Sequence, residues 1–399
     1  MSTNGYDVIV VGARSAGAPT AMLLARSGHR VLVVDRATFP SDTVSTHLVH
    51  PPGVAAWRRW GVLDRIVASG CPPIHTYAFD FGPFTLTGSP GDGDETSSYA
   101  PRRTVLDTIL VEAADKAGAE VREGFTVDGL EFEAGRVTGI RGHGRDGSSV
   151  VEQATIVVGA DGRHSMVAEA VGAEAYDERP QLQASYYSYW SGLPMDGRFE
   201  TYIRQDGAFG AWPTHDELTL VIAGRPFAQF EAYRSDIEAT FLATLDLAPA
   251  FAERLGAASR ETRFVGASVA NYFRRPFGPG WVLVGDAGYN VDFVTALGMS
   301  DAYLGAEQAA AAIGDVLRGQ ASFDPVMERY QAVRDAHVRP FYEFTTQLAT
   351  LEPPPPALAQ ALAGIAGNQP AMDRFVRVTA GVTSPTEMFA PEAADASAA

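Results

Sequence analysis

The sequence predicts an α/β protein in which a Rossmann-like dinucleotide-binding domain carries an inserted β-rich lobe and ends in helices. Three observations predict it. Tyr6 to Arg36 reads as strand, glycine turn, helix, strand and acid, the order a dinucleotide site needs. Apolar strand patterns ending in glycine-bearing turns return at Ala154 to Gly162 and at Trp281 to Gly288. Between those two, residues 181–269 change character to aromatic, alternating segments.

Asp7 to Val11 is a Val/Ile run suited to a buried parallel strand, and Gly12 ends it in a tight turn. Ala18 to Arg26 is small and apolar, a helix closed by Gly28, and Val31 to Val34 is the second strand, ending on Asp35. Gly17 lets helix and strand pack closely, and the helix N-terminus offers free N–H groups to a pyrophosphate. Asp35 stands near the spacing of an acid that binds a ribose hydroxyl. Arg14 replaces the middle glycine of G-x-G-x-x-G; its side chain is expected to point away and add positive charge near the phosphates.

Pro40 to Gly53 reads as a polar, proline-punctuated loop, Val54 to Ser69 as an amphipathic helix broken at Gly61, and Ile74 to Thr87 as strands. A helix with Leu106, Ile109, Leu110 and Ala113 on one face precedes a strand at Val121, and Val127 to Glu152 looks like a β-meander. Helices are expected over Ser165 to Val171, Phe230 to Leu247, Ala296 to Leu317 and Tyr330 to Leu348, with a weaker helical pattern from Ala357 to Val378. The domain reading places the nucleotide domain at 1–175 and 276–345, with 72–100 contributing strands to the other lobe. The second lobe is 176–275, a C-terminal helical segment 346–390, and 391–399 a disordered tail.

A net charge of −17 argues against nucleic acid and anionic membrane surfaces as partners. No apolar run approaches a membrane span, and the first strand begins too close to Met1 for a signal peptide, so a cytoplasmic location is expected. Cys71 is the single cysteine, which excludes an intrachain disulfide and a thiolate metal cluster, and the histidines show no close ligand spacing. Lys116 is the single lysine.

Gly12 to Gly17 with Asp35-Arg36, then Gly159-Ala160-Asp161-Gly162-Arg163, then Gly285-Asp286-Ala287-Gly288 fall in that order, each at the end of an apolar strand. Together they resemble the FAD-dependent monooxygenase superfamily of the para-hydroxybenzoate hydroxylase (GR2) type, which includes geranylgeranyl reductases and flavin-dependent halogenases. The resemblance spans roughly residues 5 to 345. It implies that Gly12, Arg14, Ser15, Ala16 and Gly17 line the FAD pyrophosphate, that Asp35 and Arg36 lie at the adenosine ribose, and that Arg103 approaches the cofactor. Asp161 matches a turn associated with FAD and nicotinamide handling, and Gly285 and Asp286 hold the ribityl chain. Leu297, Gly298 and Met299 open a helix whose N-terminus faces the flavin and favours its anionic reduced form. Phe293 stands where the family has proline, and Leu297 where a polar residue or glycine is common.

In the second lobe Tyr186, Tyr187, Tyr189, Trp190, Tyr202, Phe209 and Trp212 are candidates to line an apolar substrate pocket, about half of them being core instead. Gly210-Ala211-Trp212-Pro213 is similar to stretches that lie near the flavin ring in the superfamily. Tyr187, Trp190, Tyr202, Arg204, Trp212, Pro213 and Phe293 are taken as the substrate pocket. His47, His50, Arg204, His215, Tyr289 and Asp292 are polar candidates near the ring, with His47 or Tyr289 the candidate base for a phenol.

The resemblance implies a monooxygenase in which NADPH or NADH reduces FAD, O2 forms a C4a-hydroperoxyflavin, and an aromatic or polyketide-like small molecule is hydroxylated. The alternative is an FAD-dependent reductase of carbon–carbon double bonds, although Cys71 lacks the motif context those enzymes often carry. The halogenase branch is disfavoured: it needs a strand-borne lysine and a W-x-W-x-I-P stretch, whereas Lys116 falls on a predicted helix and the stretch is absent. An FAD-bound interaction protein would be favoured if the bound FAD accepted electrons from no donor. The absence of a second glycine-rich βαβ unit fits either a transient nicotinamide visit or a partner flavin reductase.

Overall fold

A computed structural model of the chain describes residues 5–205 and 207–388. Tyr6–Val11 pairs in parallel with Val31–Asp35 on one side and with Ser149–Gly159 on the other; Glu120–Glu123 and Trp281–Leu283 extend the sheet outward. Residues 8–11, 31–34, 156–158 and 281–283 are buried, which is why they read as apolar, Val-rich runs, while the edge strand Glu120–Glu123 is partly exposed and polar. Val8, Val10, Val31 and Val33 face the helices Gly17–Arg26, Arg103–Lys116 and Gly298–Leu317, while Ile9, Val11, Leu32 and Val34 pack toward Phe125, Leu130 and Ile140.

Ser149–Gly159 is one long strand serving two pairings. Residues 149–153 run antiparallel to Arg136–His143, and residues 154–159 join the parallel sheet. The expected helix from Phe230 to Leu247 is split into Phe230–Ser235 and Ile237–Leu245, because the Asp236 side chain accepts from the Ala239 N–H and starts a new helix. The helix expected from Tyr330 begins earlier and runs Phe323–Ala349, through Pro340.

A second sheet is ordered Gln183–Ser191, Thr219–Pro226, Gly207–Pro213, Arg198–Arg204, Thr76–Asp80, Thr85–Gly88. Both of its faces are buried. Tyr186, Trp190, Phe209 and Val221 pack on Tyr233, Phe241 and Phe251 of the helices on one side. Tyr187, Tyr189, Phe199 and Trp212 face the other side, where the C-terminal helix Gln369–Thr379 contributes Met372, Phe375 and Val376. The tail expected to be disordered, 391–399, lies outside the described residues. Among the described residues no helix is long and apolar enough to cross a membrane.

Candidate active site

The ends of Tyr6–Val11, Val31–Asp35, Ser149–Gly159 and Trp281–Leu283 converge on one cavity of about 640 Å³. At its base is the turn after Val11. Gly12 has φ +97°, and a Cβ on it would stand 2.4 Å from the Ala160 carbonyl oxygen. A Cβ on Gly17 would stand 1.7 Å from the Gly12 carbonyl oxygen, so only glycine permits this approach of helix to strand. A Cβ on Gly285 would meet Ala16 at 2.7 Å. The Asp35 carboxylate accepts from the Ala13 N–H and the Ala37 N–H, each at 2.8 Å, fixing the turn and the loop after the second strand to each other. Both oxygens retain acceptor capacity.

Arg14 lines the cavity, but its guanidinium turns aside to donate to Asp107 at 2.6 Å and to Ser41. Arg103 donates to the other oxygen of Asp107 at 3.0 Å. A buried carboxylate therefore takes two cations, and Arg14 brings less free positive charge to the phosphate region than the sequence suggests. Asp161 accepts from Ser165 Oγ at 2.6 Å and from the Val167 N–H at 3.2 Å, so it holds the start of the Met166–Ala170 helix. Asp286 opens onto the cavity while protein surrounds it; lost hydration pushes its carboxyl up, with Arg103 and Arg163 acting in the opposite direction.

The cavity brings together Gly12, Arg14, Ser15, Ala16, Asp35, Arg36, Arg103, Asp161, Gly285, Asp286, Gly298 and Met299 from the expected cofactor set. Tyr187, Phe293 and Tyr289 also line it, joined by Ile222 and Val269 from the second lobe. Gly17 lies behind the wall as the packing glycine, and Leu297 departs from the expectation: it is buried and turns into a neighbouring pocket. Residues missed in the sequence are Thr43–Thr46, Phe125–Val127, Asn290, Asp301 and Arg334, which arrive from loops and a distant helix carrying no local signal.

Several pocket candidates lie elsewhere. Trp190 and Tyr202 point to the opposite face of the second sheet, where Trp190 stacks on Phe241 and Tyr202 on Phe209. Arg204 pairs with Asp80 at 2.7 Å and donates to the Leu247 carbonyl. Trp212 shares a face with Tyr187 without lining the cavity; its indole N–H donates to the Thr46 carbonyl at 3.1 Å and so anchors the wall loop. Pro213 is a strand-end residue paired with Thr219 and does not line the cavity.

Among the base candidates, His47 is fully buried at φ +61° and does not line the cavity; its Nε2 meets the Tyr189 hydroxyl. Burial first, then the charges of Arg103 and Arg102, hold its imidazole well below the usual range, so it is neutral near pH 7. Tyr289 does line the cavity with its hydroxyl buried and unpartnered, and burial drives its phenol upward. His50 bridges the Tyr77 hydroxyl and the Thr295 carbonyl, and burial lowers it to about 4. His215 is shared between Ser69 Oγ and the Arg102 N–H. Cys71 is buried away from the cavity, its thiol pushed up to about 12 by burial.

A cavity over a glycine cradle, with a carboxylate at the second strand and another at the last, fits a dinucleotide bearing two sugar portions. The fold and this cavity define a dinucleotide-binding protein. The chain belongs to the FAD binding domain family, whose model matches residues 5–345.

Phenazine 1,6-dicarboxylic acid hydroxylase PhzS of Lysobacter antibioticus is 30% identical over 369 residues, covering 82% of this chain and 86% of that protein. Protein FixC of Escherichia coli (strain K12) is 32% identical over 186 residues, covering 43% of this chain and only 40% of FixC. The solved structure of the myxobacterial chondrochloren halogenase CndH superposes with a TM-score of 0.80 over 96% of this chain and 100% of that one. Its sequence is 24% identical, a likeness of fold.

Proposed function

We propose that this flavoprotein is a monooxygenase that uses NAD(P)H and O2 to hydroxylate an aromatic or polyketide-like small molecule. The observation that carries the reading is that one cavity is lined both by the N-terminus of the Gly298–Leu317 helix and by the apolar side chains of Tyr187, Ile222, Val269 and Phe293. A bound FAD supplies the electron transfer and oxygen activation. The chain's part is to exclude water, to present helix N–H groups that favour negative charge, and to orient a flat substrate against the wall.

Glycines 12 and 17 admit the pyrophosphate, Asp35 takes the adenosine ribose and Asp286 the ribityl hydroxyls. Of the two base candidates Tyr289 is the one that reaches the cavity, and with burial holding its phenol protonated it serves there as a hydrogen-bond donor rather than as a base. His47 acts through Tyr189 and the loop that carries it. The relation to a named hydroxylase over most of both chains supports this reading. Against the halogenase branch, Lys116 lies on the exposed end of the Arg103–Lys116 helix beside Glu112, so no lysine serves the cavity. Whether electrons come directly from NAD(P)H or through a partner reductase is decided by the same experiment.

FAD-loaded protein is reduced without oxygen, by NADH, NADPH or dithionite in parallel, then mixed rapidly with aerated buffer containing candidate phenols. A transient absorbance between the reduced and oxidised flavin spectra, with hydroxylated product, is the expected result. Direct reoxidation with every phenol overturns the proposal and favours reduction of carbon–carbon double bonds. Reduction by dithionite but by neither nicotinamide identifies a partner-dependent enzyme.

A further inference from the structure

Leu297, Ser300, Asp301 and Leu304 share one face of the first turns of the Gly298–Leu317 helix, and that face lines a second cavity of about 210 Å³. Its opposite walls come from Ala55 and Arg59 of the Pro51–Trp60 helix and from His337 and Phe341 of the Phe323–Ala349 helix. Pro52, Arg59 and His337 are exposed at its rim, so solvent enters it. Asp301 is the single described residue that lines both this cavity and the main one. It forms the partition between them.

One oxygen of the Asp301 carboxyl, Oδ2, is buried without a hydrogen-bond partner, and the Tyr289 hydroxyl in the main cavity is buried and unpartnered too. An unpaired carboxylate is costly to enclose, so the acid form is favoured. The groups around it add no compensating cation. Asp286 and Tyr289 face it from the last strand's turn, Tyr303 lies on its own helix, and Arg334 and His337 come from the Phe323–Ala349 helix. Arg59, from the Pro51–Trp60 helix, is engaged by Glu307 at 2.8 Å, while Arg334 donates to the carbonyls of Gly288 and Arg274 and to Tyr176. Burial, then the charge of Asp286, raises the Asp301 carboxyl to about 7.

We propose that Asp301 is a proton-exchange residue, giving its carboxyl proton into the main cavity and regaining one from water in the second. Two-electron reduction of a flavin to its anionic form takes up one proton, as does each NAD(P)H-driven hydroxylation overall. The acid loses and regains one O–H proton per cycle, with no net change in itself. The inference rests on the main cavity being the flavin site and does not require hydroxylation.

Two variants test it. Asp301→Asn removes the exchangeable proton, and Leu304→Trp fills the second cavity while leaving the carboxyl in place. In cofactor-free protein, infrared titration is expected to show a protonated-carboxyl band lost near neutral pH that is diminished in D301N and retained in L304W. On anaerobic photoreduction of protein saturated with FAD, followed with a pH-indicator dye, proton uptake is expected to slow roughly tenfold or more in both variants. A band unaltered in D301N, or uptake at the parent rate in it, overturns the role of Asp301. Uptake at the parent rate in L304W overturns the route through the second cavity. Neither oxygen nor an organic substrate is present, so failure of the hydroxylase reading leaves these outcomes intact and separately legible.

Discussion

Arg14 occupies a position where the nucleotide motif ordinarily has glycine, and its partner explains why it is tolerated. Asp107 is completely buried and is held by Arg14 at 2.6 Å and Arg103 at 3.0 Å. Arg14→Ala leaves that carboxylate one cation, and is expected to lower stability by roughly 1–3 kcal/mol in urea unfolding of the cofactor-free protein. Asp107→Asn in the same background is expected to cost more still, because the buried Arg103 then loses its counter-charge. Asp292 makes a second residue-level prediction. One of its oxygens accepts from Gln183 and the Val294 N–H, the other has no partner, and burial raises the carboxyl to about 7. Its raised value favours the folded state below the unfolded value of about 3.9, and that contribution is lost as pH rises toward 7. Asp292→Asn keeps the used acceptor and removes the ionisation, so the variant should gain roughly 1–3 kcal/mol over the parent at pH 8 and little at pH 5. Denaturant midpoints across that range check it.

At the level of elements, the nucleotide turn was legible because its constraint is local. Gly17 must be glycine for a reason measured within five residues of chain, the 1.7 Å that separates an added Cβ from the Gly12 carbonyl. Gly17→Ala is expected to weaken FAD binding by about a hundredfold or more, read by retention of the flavin spectrum on dialysis, since the helix must move off the strand. The strands of the second sheet were less legible. In Tyr186-Tyr187-Ser188-Tyr189-Trp190 alternation separates two faces, but both are apolar because both are covered, so no polar face marks which one meets the cavity. Trp190 and Tyr202 went to the wrong side for that reason. Leu297 shows the same limit on a helix: one residue before Gly298, it turns into a different pocket. Arg334 and Asp301 were beyond reach, because their place in the site depends on how two long helices pack.

Across the whole molecule, the cavity wall in the second lobe depends on a segment remote from every nucleotide motif. The helix Gln369–Thr379 lays Met372 and Phe375 into the cluster that contains Tyr187, Tyr189, Phe199 and Trp212, and Phe375 meets Phe79 edge-on at 5.2 Å. Through Trp212 this cluster also holds the Thr43–Thr46 loop. Phe375→Ala leaves a hole in a closed core, with an expected cost of about 3–5 kcal/mol in denaturant unfolding. The two lobes share cavity walls, so the effect should extend to chemistry. A looser wall admits water where the proposed reaction needs it excluded. The variant should bind FAD as the parent does, because the glycine turn and Asp286 belong to another core. It should nevertheless divert several-fold more reducing equivalents to hydrogen peroxide per NAD(P)H oxidised, measured with peroxidase-coupled dye. Unchanged coupling alongside the lowered stability would show that the C-terminal helix supports the lobe without shaping the site.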